Sequence, residues 1–210
     1  TLIKAGRALE DLIKKAFFDL WDNLFRVILM NLGYIAVVGL AVLVPSGLSY
    51  LAFLPGPVAV GLAILVPLAL LSVYTGAASH MCRAIADYQE PGFRDFLVHL
   101  RATWVPSLLF ALVNAAVGFF LTVAMPFYLR MPARWVGAVA FAFLFWVAVI
   151  WAFAIQYYFP LQSQVNTDFR KNMRKIFLLF FDNTMFSVGL AIGFIAIVAL
   201  SGFTAFMLPG

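Results

Sequence analysis

The stretch FAFLFWVAVIWAFAI, residues 141–155, contains only apolar and aromatic side chains. A strand of a membrane β-barrel alternates apolar and polar residues, whereas this stretch is apolar on every side and so favours a helix. It lies within an uncharged run over residues 135–159. That run exceeds the roughly 20 residues that a helix needs to cross a bilayer, so it predicts a transmembrane helix.

The composition of the whole chain points the same way. Of the 210 residues, 65% are hydrophobic and 11% are charged, against roughly a quarter charged in a typical soluble domain. A soluble fold of this size lacks the interior to bury so many apolar side chains. The balance excludes a disordered chain, and a single cysteine, Cys82, excludes an intrachain disulfide framework.

Apolar runs of similar length recur along the chain. They predict an all-α fold, a polytopic transmembrane helical bundle of about five spans within a single transmembrane domain over residues 26–208. The predicted spans are residues 26–46, 57–79, 104–128, 135–159 and 184–208. No span contains an Asp, Glu or Lys in its interior, and Arg26 lies at the edge of the first.

Basic residues collect on one side of the predicted bundle. Twelve of the fourteen Lys and Arg residues fall before span one, between spans two and three, or between spans four and five. The other two are Arg130 and Arg134, and all nine acidic residues fall on the basic-rich side. By the positive-inside rule, we expect a cytoplasmic N-terminus and a C-terminus outside.

An amphipathic stretch precedes each odd-numbered span. Residues 1–25 predict a cytoplasmic interfacial helix, and residues 93–104 and 169–180 predict two further elbow helices. Such helices lie on the membrane with the apolar face down and the cations near anionic lipid head groups. One interpretation is that they only fix the angle at which each span enters the bilayer. The other is docking of lipid or a partner, above all by Arg170, Lys171, Arg174 and Lys175.

The first and third elbows share residues at a spacing of 160 positions. Lys15, Phe17, Asp22, Asn23 and Gly33 recur as Lys175, Phe177, Asp182, Asn183 and Gly193. Either a structural repeat or chance in a biased composition accounts for these matches. In both places we predict that the Asp-Asn pair, Asp22 and Asn23 or Asp182 and Asn183, caps the first turn of the entering span.

Uncharged polar residues inside the spans allow two interpretations. They form hydrogen bonds between helices, or they line a polar cavity beside a kink that Pro67 introduces in the second span. The cavity candidates are Asn31, Ser72, Tyr74, Thr75 and Asn114. In the fifth span, Gly189 and Gly193 form a GxxxG pair that predicts close helix packing, within the chain or in a homodimer.

Residues that carry catalysis or bind metals are few. We interpret His80 and His99 as polar surface side chains, and Cys82 as a small apolar filler. The absence of ionisable residues inside the predicted spans argues against a proton-coupled pump. We expect no enzymatic activity, no catalytic residue, no cofactor, no metal site and no nucleic-acid partner.

Two stretches resemble the YesL-like family of bacterial integral membrane proteins, whose biochemical function is unknown. They are ADYQEPGFRDFLVHLRATWVPSLLFAL at residues 86–112 and AIQYYFPLQSQVNTDFRKNMRKIFLLFFDN at residues 154–183. In the second, Tyr158, Phe159 and Pro160 end a helix before a basic elbow, as in that family. The resemblance implies a multi-pass protein of the bacterial cytoplasmic (inner) membrane with an accessory role in carbohydrate uptake. It supplies no catalytic residues.

Three classes of function remain open on the sequence. The first is a non-enzymatic accessory or scaffold protein, with the lipid bilayer, its anionic head groups, and a membrane transport complex or a second copy as partners. The second is an oligomeric small-solute transporter or channel that uses the polar residues around the kinked second span. An enzyme acting on lipid comes last, because no acid, base and nucleophile converge.

Overall fold

The computed structural model describes residues 2–49, 56–165 and 168–207, which form eight helices and no strand. The helices are α1 (Leu2–Asp22), α2 (Leu24–Ser49), α3 (Gly56–Ala86), α4 (Phe93–Leu129), α5 (Arg134–Ile155), α6 (Tyr158–Gln164), α7 (Phe169–Asp182) and α8 (Thr184–Met207). The predicted all-α fold is confirmed.

Long apolar helices dominate the bundle. Four segments are long and apolar enough to cross a bilayer: Leu24–Gly47, Val58–Ala86, Phe93–Leu129 and Arg134–Gln164. A fifth candidate is the pair α7 and α8, which bends by 98° at Asn183. Between 6% and 17% of the most apolar window of each of the four is buried in the protein, so most of each window is an apolar surface that water would not favour. The chain is a multi-pass membrane protein.

Two helix boundaries differ from the predicted ones. The second elbow is not a separate helix, because α4 runs without a break from Phe93, directly after the Pro91-Gly92 turn, to Leu129. The helix of the fourth span is interrupted: α5 stops at Ile155, and a two-residue turn leads into the short α6. Pro160 fits α6 because it lies in the first turn, where its missing N–H removes no helical hydrogen bond.

Three contacts join the basic segments at one end of the bundle, which we call the basic end. The Lys15 ammonium donates to the Ala86 carbonyl at 3.0 Å, at the last residue of α3. Arg26 pairs with Glu90 at 3.0 Å, and the Arg83 guanidinium donates to the Ser163 carbonyl. These contacts bring α1, the α3–α4 connection and α6 together, as expected if all three lie on one side of the membrane.

The opposite end holds the tight turn between α4 and α5. A Cβ atom at Gly137 would lie 2.3 Å from the Tyr128 carbonyl oxygen, so only glycine fits there without moving the backbone. The Arg130 N–H closes the end of α4 by donating to the carbonyls of Pro126 and Phe127, both at 3.2 Å. Close approach at Gly137 is therefore part of how the α4–α5 hairpin packs.

An aromatic core fills the space between α4, α5, α6 and α7. Its buried residues are Phe110, Ala154, Tyr158, Leu161, Ile176 and Phe180. The Phe110 and Tyr158 rings stack at 4.1 Å, and the Tyr158 hydroxyl donates to the Pro106 carbonyl at 3.0 Å. This core fixes the short helix α6 against α4.

A single asparagine separates the amphipathic helix from the following helix in the first and third elbows, whose matching residues are 160 positions apart. We call these two breaks, at Asn23 and Asn183, the hinges. The Asn23 N–H donates to the Asp19 carbonyl at 3.2 Å, and the Val27 N–H donates to the Asn23 carbonyl at 3.0 Å. At the second hinge, the Asn183 N–H donates to the Leu179 carbonyl at 3.0 Å, and the Ser187 N–H donates to the Asn183 carbonyl at 2.9 Å. The backbone hydrogen bonds around Asn23 and Asn183 thus continue the helical i→i−4 pattern across both breaks.

The Asn23 side chain does not cap α2 as predicted. The Asn23 side chain donates to the Asp19 carbonyl at 3.2 Å and accepts from Arg26 at 2.7 Å, so it closes the end of α1 instead of the start of α2. In the described structure, Asp22, Asp182 and Asn183 make no side-chain bond to the first turn of the following helix. The physical reason is that the free carbonyls at the end of each amphipathic helix also need donors.

Candidate functional site

Polar side chains line the contact between α3 and α4 near the basic end. Gly76 and His80 are one turn apart on α3, and His99, Thr103 and Ser107 follow one another at intervals of four on α4. The His80 and His99 rings stack with centroids 4.7 Å apart. A Cβ at Gly76 would lie 2.5 Å from the Ser107 hydroxyl oxygen, so the absent side chain lets the two helices meet.

Helix α6 completes this arrangement from a third side. Gln162 and Ser163 are buried, and the Ser163 carbonyl accepts the hydrogen bond from Arg83 of α3. Tyr158, one turn before Gln162, bonds α4 through the Pro106 carbonyl. We call the set His80, His99, Thr103, Ser107 and Gln162 the polar junction.

Three side-chain atoms of the polar junction are buried without a hydrogen-bond partner: His80 Nε2, Ser107 Oγ and Gln162 Oε1. Each of the three packed helices contributes one of them. A buried polar atom without a partner costs about 1–3 kcal/mol, so each of the three needs an explanation. An imidazole nitrogen, a hydroxyl and an amide oxygen can each hydrogen-bond a small polar molecule.

The four basic residues predicted on the third elbow lie on α7. Arg170, Lys171 and Arg174 are exposed and Lys175 is half-buried. Lys171 lies 3.4 Å from Asp168, an exposed pair that adds little stability. We call these residues, Arg170, Lys171, Arg174 and Lys175, the cation surface.

The apolar face of α7 packs on protein, whereas the sequence analysis predicted that it would lie on lipid. Asn172, Ile176 and Phe180 are buried, and Ile176 and Phe180 belong to the aromatic core. Because one face is held by this core, the cation surface on the other face has a fixed position. Farther along α7, Leu178 and Phe181 are exposed and can contact lipid at the start of the last span.

The N-terminal helix α1 differs from α7 because its large apolar residues remain uncovered. Ile13, Phe17 and Trp21 repeat at intervals of four and are 59–66% exposed. Lys15, between them, reaches the end of α3 and also lies 5.4 Å from the centre of the Tyr88 ring. An amphipathic helix tied to the basic end with an open aromatic face fits the interfacial position that we predicted for residues 1–25.

The structure does not bring the predicted cavity residues together. Tyr74 donates to the Met30 carbonyl at 2.7 Å and Thr75 bonds Tyr34 at 2.5 Å, so both join α3 to α2. Asn114 accepts from the indole of Trp151 at 3.1 Å and joins α4 to α5. The remaining two are Ser72, which is buried, and Asn31, which is exposed.

Of the two glycines in the GxxxG pair of α8, one is half-buried in the bundle and the other is exposed. Gly189 is half-buried, whereas Gly193 is exposed, and a Cβ there would meet no atom within 4 Å among the described residues. Among the residues that the structure describes, nothing packs against Gly193. Contact with lipid or with a second copy is the remaining interpretation.

The sequence interpretation missed the polar junction because it treated each histidine alone. The signal was present in the interval of four that links His99, Thr103 and Ser107 on a single helical face, opposite Gly76. Among the described residues, no group of three or more His, Cys, Asp or Glu side chains is arranged to hold a metal ion. The chain matches no family model, no curated protein and no solved structure.

Proposed function

We propose that this membrane protein is a non-enzymatic accessory or scaffold protein that binds a partner at the basic end through the cation surface of α7. The observation that supports the proposal most is the rigid mounting of these cations. Arg170 and Arg174 are exposed and have no ion pair among the described residues, while the other face of the helix is buried in the aromatic core.

The chemistry of the partner follows from the surface. Four cations within six residues attract carboxylate or phosphate groups, and Arg side chains bind such groups in a bidentate manner. A surface that is already ordered loses little conformational entropy when it binds. An acidic patch on a neighbouring membrane protein would satisfy both conditions.

Affinity purification from native membranes tests the proposal. The variant Arg170→Glu, Lys171→Glu and Arg174→Glu reverses the charge of the cation surface, and we expect it to lose a partner that the wild-type chain retains at low salt. The matched control is Arg94→Glu with Arg101→Glu, which reverses two exposed cations of α4 at the same end. Equal recovery of partners with both variants, or none with the wild type, would contradict the proposal.

The partner that we propose is a subunit of a carbohydrate uptake system in the cytoplasmic membrane. Support for this step comes from the resemblance of residues 86–112 and 154–183 to the YesL-like family. Deleting the gene should lower sugar uptake in cells, and the charge-reversed α7 variant should fail to restore it. Unchanged uptake of every sugar tested would remove the carbohydrate link and leave the scaffold proposal open to the purification test.

A second candidate function is passage of a small polar solute, and the unpaired atoms of the polar junction favour it. Reconstituted protein should then conduct a neutral polyol such as glycerol into liposomes. Ser107→Ala with Gln162→Leu should reduce that flux, because it removes two of the three unpaired atoms. Thr122→Val is the control, since Thr122 is an exposed residue of α4 outside the junction. Absence of flux with the wild-type chain would exclude this candidate.

A further inference from the structure

A cavity of about 540 Å³ lies beside the last turns of α4, at the end opposite the cation surface. It is lined by Val123, Pro126, Phe127, Arg130, Met131 and Pro132. Val123, Phe127 and Arg130 follow one another at intervals of four and three, so they share one face of the helix. The lining is apolar except for Arg130, which places a cation at one side of a hydrophobic groove.

Arg130 is exposed and forms no ion pair among the described residues. The nine Asp and Glu residues occur in α1, in the α3–α4 connection, in the first turn of α4 and at the two ends of α7. On α4 itself, Asp95 is 35 positions from Arg130, which is about 50 Å along a helix. The counter-ion of Arg130 is therefore not an Asp or Glu side chain of this protein.

The position of Arg130 identifies the source of that counter-ion. It directly follows Leu129, where α4 ends. Trp135 is exposed five residues after it, and Trp side chains are enriched at the boundary between lipid and water. At this depth the abundant anion is the phosphate of a phospholipid, and the adjoining groove is apolar like an acyl chain.

We propose that this groove binds one phospholipid, with the phosphate on the Arg130 guanidinium and an acyl chain along Val123 and Phe127. The binding is charge-assisted at one end and hydrophobic along its length. The inference depends on the chain being a membrane protein and is independent of the partner proposed for α7.

Native mass spectrometry of the detergent-purified protein, titrated with phosphatidylglycerol, tests the inference. We expect the wild-type chain to retain one lipid and Arg130→Gln to bind it about tenfold more weakly, a loss of roughly 1.4 kcal/mol. Val123→Trp, which fills the groove but keeps Arg130, should weaken binding as well. Arg101→Gln, an exposed cation at the basic end, is the control and should bind as the wild type does.

Three results would overturn the inference. One is retention of the lipid by Arg130→Gln and Val123→Trp at the wild-type level. Another is equal retention of diacylglycerol, which has the acyl chains but no phosphate. The third is displacement of the lipid by glycerol phosphate at a concentration equal to that of the lipid, which would show that the acyl chain adds nothing to binding. Melting curves of each variant separate loss of binding from loss of the fold.

Discussion

At the scale of single residues, the bundle depends on close approach and on hydrogen bonds between helices. Lipid is as apolar as a leucine side chain, so burial of hydrophobic surface drives helix association less than it does in water. The absence of a side chain at Gly137 lets the Tyr128 carbonyl pack against α5, and the Asn114–Trp151 hydrogen bond joins α4 to α5. Both features act on the same pair of helices, and each can be tested separately.

Gly137→Ala should destabilise the protein, because its methyl group would lie 2.3 Å from a backbone oxygen that cannot rotate away. We expect a loss of about 1–3 kcal/mol, the usual range for overpacking, seen as a lower melting temperature in detergent. Gly118→Ala is the control, since a Cβ at Gly118 meets nothing within 4 Å. Equal melting temperatures for the two variants would show that α4 and α5 do not pack as described.

Asn114 and Trp151 should be energetically coupled. A double-mutant cycle with Asn114→Ala and Trp151→Phe should give a coupling free energy of about 0.6 kcal/mol, the average for hydrogen bonds between membrane helices. The single variants and the double variant are compared by reversible unfolding. If the effects of the two substitutions simply add, Asn114 does not bond α5, and its assignment to a polar cavity becomes the better interpretation.

At the scale of elements, the two asparagine hinges show what the sequence could predict. The 160-residue spacing pairs Asn23 with Asn183, and the structure breaks the helix at both residues. The spacing alone did not predict which helix the asparagine side chain would cap. The same side chain can hydrogen-bond the end of the helix before it or the start of the helix after it. At the second hinge, the Ser187 hydroxyl reaches the Asn183 carbonyl at 2.9 Å.

Ser187→Ala should therefore affect stability more than substitution of the Asp-Asn pair itself. Ser187 is buried, and its hydroxyl also bonds the Tyr157 hydroxyl at 2.5 Å, so its removal should cost about 1–2 kcal/mol. Asp182→Ala changes an exposed side chain and should change the free energy of unfolding by less than about 0.5 kcal/mol. Thermal melting in detergent compares them, and the reverse order would restore Asp182 as a cap.

At the scale of the whole molecule, the spans could be predicted and their partners could not. Bilayer thickness fixes the length of a spanning helix, so apolar length alone places predicted spans that overlap α2, α3 and α5, although α3 continues to Ala86. The stacking of His80 on His99 depends on how α3 and α4 turn toward each other, which a local pattern does not encode. The same holds for α7, whose apolar face packs on the Tyr158 core where the pattern favoured lipid.

Cysteine accessibility in intact cells tests most directly whether α4 carries the chain across the bilayer. With Cys82 replaced by serine, single cysteines are introduced as Gln89→Cys, before α4, and Ala133→Cys, after it, both at exposed positions. The account predicts that a membrane-impermeant maleimide labels position 133 in intact cells and position 89 only after lysis. Labelling of both positions in intact cells would contradict it.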